Sequence, residues 1–127
     1  MLISVVDDDE SVRESLPDLL RELGFEAEAF ASAEEFLESR ALSVTGCLVL
    51  DVAMPGMSGI ALHRELRNRG SEIPVVFITA NDEAASREEL RQRGVTCLRK
   101  PFDEAILIQA IDAAIGEPPA AAAAENR

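Results

Sequence analysis

Five short runs rich in apolar and β-branched residues, Leu2–Val6, Phe25–Phe30, Cys47–Leu50, Val75–Thr79 and Val95–Leu98, are each followed by a segment with helical periodicity. Three of them (ISVV, CLVL and PVVFI) are continuously apolar, the pattern of strands covered on both faces. FEAEAF alternates instead and reads as an edge strand. Repeated β-α units of this kind predict an α/β fold: a doubly wound five-stranded parallel sheet, with helices on both faces and functional loops at the carboxyl ends of the strands.

Punctuation along the chain supports the helices independently. Gly24, Gly70, Gly94 and Gly116 each stand just past a helical pattern, where a left-handed cap favours glycine. Ser32-Ala-Glu-Glu35 makes a capping box, and Ser58, Asp82 and Asp103 stand at N-cap positions. Over Asp103–Ile115 the residues Ile106, Leu107, Ala110, Ile111, Ala114 and Ile115 form one apolar stripe, expected to pack on the sheet. Pro17 conflicts with the first helix, where it removes a hydrogen bond to the Arg13 carbonyl at a cost of about 3 kcal/mol; a bend is expected, not a break.

The length of 127 residues suits one domain with one real core. Residues 1–116 are expected to form it, and the proline- and alanine-rich 117–127 to be a flexible tail or linker stub. With 24 acids against 12 bases the net charge is -12, so the field of the chain repels phosphate backbones and anionic lipid. Direct nucleic-acid binding is not expected; a protein partner or a cation fits better. No segment approaches the roughly 20 apolar residues of a membrane span, and no basic stretch precedes an apolar run at the start, so a soluble, cytoplasmic protein is expected. The two cysteines, Cys47 and Cys97, fall in different strands and suit neither a disulfide framework nor a clustered metal site. His63, on the third helix, reads as a surface histidine.

At the carboxyl edge stand Asp7 and Asp8 after the first strand, Asp51 after the third, Thr79 after the fourth and Lys100 after the fifth. Two carboxylates about 4 Å apart repel by roughly 4 kcal/mol at an effective dielectric of 20, so a cation belongs among them. An oxygen-only cluster open to water suits a hard divalent ion such as Mg2+ (or Mn2+), with Asp7, Asp8 and Asp51 as ligands. Beside such an ion the Asp51 carboxylate is placed to attack phosphorus and form an acyl phosphate. The Thr79 hydroxyl and the Lys100 ammonium are placed to bind the other oxygens of the transferred group. Each residue has a plainer reading when taken alone: an aspartate triplet before a helix complements its dipole, and a threonine is common in strands.

VVDDDE, LVLDVAMPGMSG, VVFITA and LRKPF, in that order, resemble the receiver domain of bacterial response regulators, and the likeness runs from about Leu2 to Ile115. The opening SVVDDDESVRESL with ASAEEFL looks most like receivers of the FixJ/NarL-like class, which precede helix-turn-helix domains. The resemblance implies a flavodoxin-like (βα)5 fold with strand order 2-1-3-4-5. In that order another strand separates Cys47 from Cys97, leaving them about 9 to 10 Å apart, too far for an unstrained disulfide. It further implies Asp51 as phosphoacceptor, Asp7 and Asp8 as metal-binding acids, a backbone carbonyl from Ala53 on the metal, Thr79 as switch hydroxyl, Lys100 as phosphoryl-binding lysine and a cis Lys100-Pro101 peptide. The implied donor is a histidine kinase or phosphotransfer protein. Output would run through the face of the fourth helix, fifth strand and fifth helix, as a dimer or partner contact; Arg87, Arg91, Arg93 and Arg99 lie there among acids such as Glu88 and Glu89.

Two departures from the family pattern bear on that output: Cys97 stands where many receivers carry Phe or Tyr, and the stretch from Thr79 to Lys100 is about one residue shorter than usual. Asn81 is placed to affect hydrolysis by positioning water. Three competing functions rank lower. An unphosphorylated pseudo-receiver is disfavoured because all five key residue types are present. A phosphohydrolase would want an acid-base aspartate where Ala53 stands. A flavin carrier would set its phosphate against Asp7 and Asp8. The chain is not expected to be an enzyme beyond its own phosphorylation and dephosphorylation.

Overall fold

The continuously apolar runs become the inner strands of one parallel sheet, because only there are both faces of a strand covered. The computed structural model describes residues 1–80, 96–100 and 102–116. Along the chain come β1 (Leu2–Val6), α1 (Glu10–Glu22), β2 (Glu26–Phe30), α2 (Ala33–Leu37), a single 3-10 turn at Arg40–Ser43, β3 (Thr45–Asp51), α3 (Gly59–Asn68), β4 (Val75–Thr79), β5 (Thr96–Arg99) and a closing helix (Glu104–Gly116). The sheet order is β2-β1-β3-β4-β5, all parallel, as expected of a flavodoxin-like arrangement. Alternating FEAEAF is indeed the edge strand β2, its Glu26 and Glu28 exposed.

Two apolar layers flank the sheet. One joins Val6, Leu48, Leu50 and Phe77 to Ala33, Phe36, Leu62 and Leu66 of α2 and α3. The other joins Ile3, Val5, Cys47, Val49, Val76 and Ile78 to Leu16 and Leu20 of α1 and to Leu107, Ala110 and Ile111 of the closing helix. Successive residues of β3 alternate between the layers, and Leu48, Val49 and Leu50 have no exposed surface. Each such side chain contributes about 1.5–3 kcal/mol on burial, which makes β3, and so the backbone leading to Asp51, the rigid axis of the fold.

The helix ends follow the capping residues. Asp9 caps α1 through Ser11 N, Ser32 caps α2 through Glu35 N, Ser58 caps α3 through Ala61 N, and Asp103 accepts from Ala105 N. Gly24 and Gly70 have φ of +97° and +81°. Around them Phe25 N–H bonds back to Leu20 O, and Ser71 N–H to Leu66 O, the six-residue closure that a left-handed glycine permits. Helix α1 continues through a buried Pro17 without a break.

Several expectations need correction. Gly116 is the last helical residue and has no left-handed φ. Ile106 is 49% exposed, whereas Leu107, Ala110 and Ile111 are buried against the sheet and Ala114 and Ile115 pack on the same layer. Strand β3 starts at Thr45 rather than Cys47, where Ser4 and Thr45 hydroxyls hydrogen-bond at 2.7 Å beneath the sheet. Its register then shifts by one at Gly46, over which the Met1 side chain lies. Phe25 belongs to the α1 cap, and β5 runs on to Arg99. His63 is buried rather than on the surface, its ring edge-on to Phe77 at 5.5 Å. The readings of Asn81, Asp82, Gly94, the arginines and glutamates at 87–93, the fourth helix, Pro101 with its peptide bond, and 117–127 lie outside the described residues.

Candidate functional site

The register brings the acidic residues level with one another. Val6 pairs with Leu50, so the next residues, Asp7 and Asp51, emerge side by side at the sheet edge. Thr79 ends β4 opposite Arg99 and accepts the Lys100 N–H at 2.7 Å, which delivers Lys100 to the same edge. Asp51, Thr79 and Asp7 are buried, Asp8 and Ala53 are exposed, and the Lys100 side chain is 15% exposed.

Each acid is held from behind. Asp7 N–H donates to Phe30 O, its Oδ1 accepts from Asp9 N at 2.9 Å, and Arg13 Nη1 donates to its carbonyl at 3.1 Å. Behind Asp51, Val52 N–H donates to Ile78 O and Val52 O accepts from Gly59 N, both at 2.9 Å. The segment from Asp51 to Ala53 is thus tied to β4 on one side and to the start of α3 on the other.

The Lys100 ammonium lies 2.7 Å from Asp7 Oδ2 and 3.9 Å from Asp51 Oδ2. No hydrogen-bond donor besides that ammonium reaches Asp7 Oδ2 among the described residues. Asp7, Asp8 and Asp51 offer carboxylate oxygens within 4.8 Å of one another. Three hard oxygen donors, two of them buried and one of those, Asp7, with spare lone-pair capacity, fit a divalent ion of the magnesium class.

Electrostatics point the same way. Burial pushes the Asp51 carboxyl up from 3.8 to about 7; the Asp7 charge, a hydrogen bond with Asp7 and the Asp8 charge add to the rise, and Lys100 opposes it. A raised carboxyl stabilises the fold fully below its unfolded value, and that contribution is lost as pH climbs through the folded value. The metal-free protein is therefore expected to lose stability from this group as pH rises from 3.8 to about 7. Asp51→Asn should remove that loss and melt at a higher temperature than the parent at pH 8, in thermal scans with chelator present.

Of the residues singled out from sequence, Asp7, Asp8, Asp51, Thr79 and Lys100 all lie at this edge, and Ala53 follows two residues after Asp51. Cys97 pairs with Phe77 on β4 and is half-buried. Cys47 is buried, its thiol pushed up to about 12 by desolvation. Sequence reasoning missed Glu34, whose carboxylate reaches the loop after β3; its capping box announced only a helix start.

The family model described as "Response regulator receiver domain" matches residues 3–112. Response regulator protein TodT of Pseudomonas putida is 40% identical over 115 residues, covering 90% of this chain and 51% of TodT. Among solved structures, response regulator StyR is similar at a TM-score of 0.82 with 44% identity, over 99% of this chain and 62% of StyR. FixJ-N is similar at 0.82 with 34% identity, over 94% of this chain and 96% of FixJ-N. The chain therefore belongs to the response regulator receiver domains of two-component signal transduction. It spans about half the length of the curated relatives it matches. Among the described residues no helix is long and apolar enough to cross a membrane.

Proposed function

We propose that this receiver accepts a phosphoryl group on Asp51 from a histidine kinase or phosphotransfer protein, with Mg2+ or Mn2+, and thereby switches its protein contacts. The observation that carries the reading is the convergence of Asp7, Asp51 and Lys100 within ion-pair distance at the strand ends. In the reaction an Asp51 oxygen attacks phosphorus, the bond from phosphorus to the donor nitrogen breaks, and its electron pair leaves with the imidazole. The product is a mixed anhydride on Asp51. A divalent ion held by Asp7, Asp8, Asp51 and the Ala53 carbonyl would supply the positive charge that lets an anionic donor approach three carboxylates. Lys100 pairs with one oxygen of the transferred group and Thr79 donates its hydroxyl to another.

Output through the fourth helix, fifth strand and fifth helix, by a dimer or a partner, is part of the same reading. The net charge of -12 argues against direct nucleic-acid contact by this chain and fits a cytoplasmic signalling partner. A phosphoramidate, which presents the same phosphorus-nitrogen bond as a phosphohistidine, tests the chemistry. Phosphoryl incorporation should require added Mg2+ or Mn2+ and stop with chelator; incorporation that proceeds equally in chelator would sink the metal-assisted reading.

A further inference from the structure

Glu34 of α2 reaches across to the loop that follows β3. Its Oε2 accepts the Met57 backbone N–H at 3.3 Å, and the same oxygen lies 2.9 Å from where a Cβ on Gly56 would stand. Gly56 has φ of +74°, so Met54-Pro55-Gly56-Met57 has the residues of a type II turn, with proline second and a left-handed glycine third. Such a turn is often closed by its fourth N–H bonding to its first carbonyl. Among the described residues Met57 N makes no bond to Met54 O. The donor that would close the turn goes to Glu34 instead.

The carboxylate stands on a fixed platform. Ser32 caps α2, Ala33 and Phe36 are buried, and the Phe36 ring packs edge-on against Phe30 at 5.5 Å. The inner tie of the same loop is Gly59 N to Val52 O at 2.9 Å. Ala53 lies between these two ties. With the outer one cut, the peptides from Ala53 to Met57 are restrained at Val52 and Gly59 and by the burial of Met54.

We propose that Glu34 is a positioning residue for the pocket: by closing the Met54–Met57 turn from outside, it fixes the Ala53 peptide and so the carbonyl that would help hold a divalent ion there. The proposal rests on the reading of the pocket as a cation site. A carboxylate near the pocket also draws cations by its charge alone. Glutamine keeps the acceptor and removes the charge, so Glu34→Gln separates the two effects.

The chain has no Trp or Tyr to report binding, so Mn2+ titration of the full chain is followed by the electron paramagnetic resonance of the free ion. Backbone amide exchange at Met57 is read separately in metal-free protein. Glu34→Ala should weaken Mn2+ binding by about three- to tenfold and speed Met57 exchange by a similar factor, the worth of one net hydrogen bond. Glu34→Gln should stay within about twofold of the parent in both, and the melting temperatures of all three should agree within a few degrees. Unchanged binding and exchange in Glu34→Ala would overturn the proposal while leaving the cation site standing. So would a Glu34→Gln that loses as much as Glu34→Ala, since charge would then be the cause. A parent chain that binds no Mn2+ overturns both, and the exchange data then still report whether Glu34 closes the turn.

Discussion

Gly59→Ala is expected to destabilise the domain by about 3 kcal/mol, lowering the melting temperature by roughly 10 °C. The first residue of α3 lies against the backbone at the end of β3. A Cβ there would fall inside the contact shell of the Asp51 carbonyl oxygen, 2.9 Å from the Asp51 carbonyl carbon and 3.1 Å from Val52 Cα. These are main-chain atoms of the rigid central strand, so no side chain can swing aside to make room. Alanine's better helix propensity, about 1 kcal/mol, acts in the opposite direction and is outweighed. Gly116→Ala is the control: a Cβ there meets nothing within 4 Å and the backbone is not left-handed, so the melting temperature should hold or rise slightly. Equal melting temperatures for the two variants would contradict the packing of α3 on Asp51. Because the relief must come from moving Asp51 or the helix start, phosphoryl incorporation by Gly59→Ala should also fall below that of the parent at a temperature where both are folded.

Lys100→Met is the second large effect, and its direction depends on what else is in solution. The variant leaves the fully buried Asp7 carboxylate without the ammonium now 2.7 Å away. Breaking a buried pair from one side costs about 3–5 kcal/mol, because the remaining charge is unpaired. Lys100 also opposes the rise in the Asp51 carboxyl. Its removal pushes that group further up, so the loss of stability grows as pH rises. In chelator at pH 8 the melting temperature should fall by about 10 °C, and by less at pH 5.5. Added Mg2+ should restore most of the loss, since a divalent ion supplies the counter-charge the lysine gave. Its affinity should equal or exceed the parent's, because Lys100 no longer competes for Asp7. A Lys100→Met protein that melts like the parent at both pH values, with no gain from Mg2+, would contradict the pairing.

Much of this architecture is legible in the residues because the strongest signals are local. A run such as CLVL ending in Asp51 declares an inner strand and its last residue at once, and a parallel sheet then gathers the strand ends at one edge. That is why Asp7, Asp51, Thr79 and Lys100 could be named before their distances were known. What escaped was set by contacts far along the chain. Glu34 bonds a backbone amide 23 residues away, and Gly46 gives room to Met1. His63 is a different case. Gly59, Leu62, His63 and Leu66 are the buried positions of α3 and follow helical spacing, so helical periodicity places His63 on the inner face even though histidine is more often exposed. Ile106 is the opposite case, an apolar residue at the edge of its helical stripe that stays exposed while the rest of the stripe meets the sheet.

The central claim is that Asp51 takes the phosphoryl group, and intact mass after incubation with a small phosphodonor and Mg2+ tests it most directly. The parent should gain the mass of one phosphoryl group, with the adduct mapped to the peptide containing Asp51, while Asp51→Asn and a chelated parent gain nothing. No gain by the parent, under conditions that label a control receiver, would contradict the account and favour a receiver that signals by shape alone.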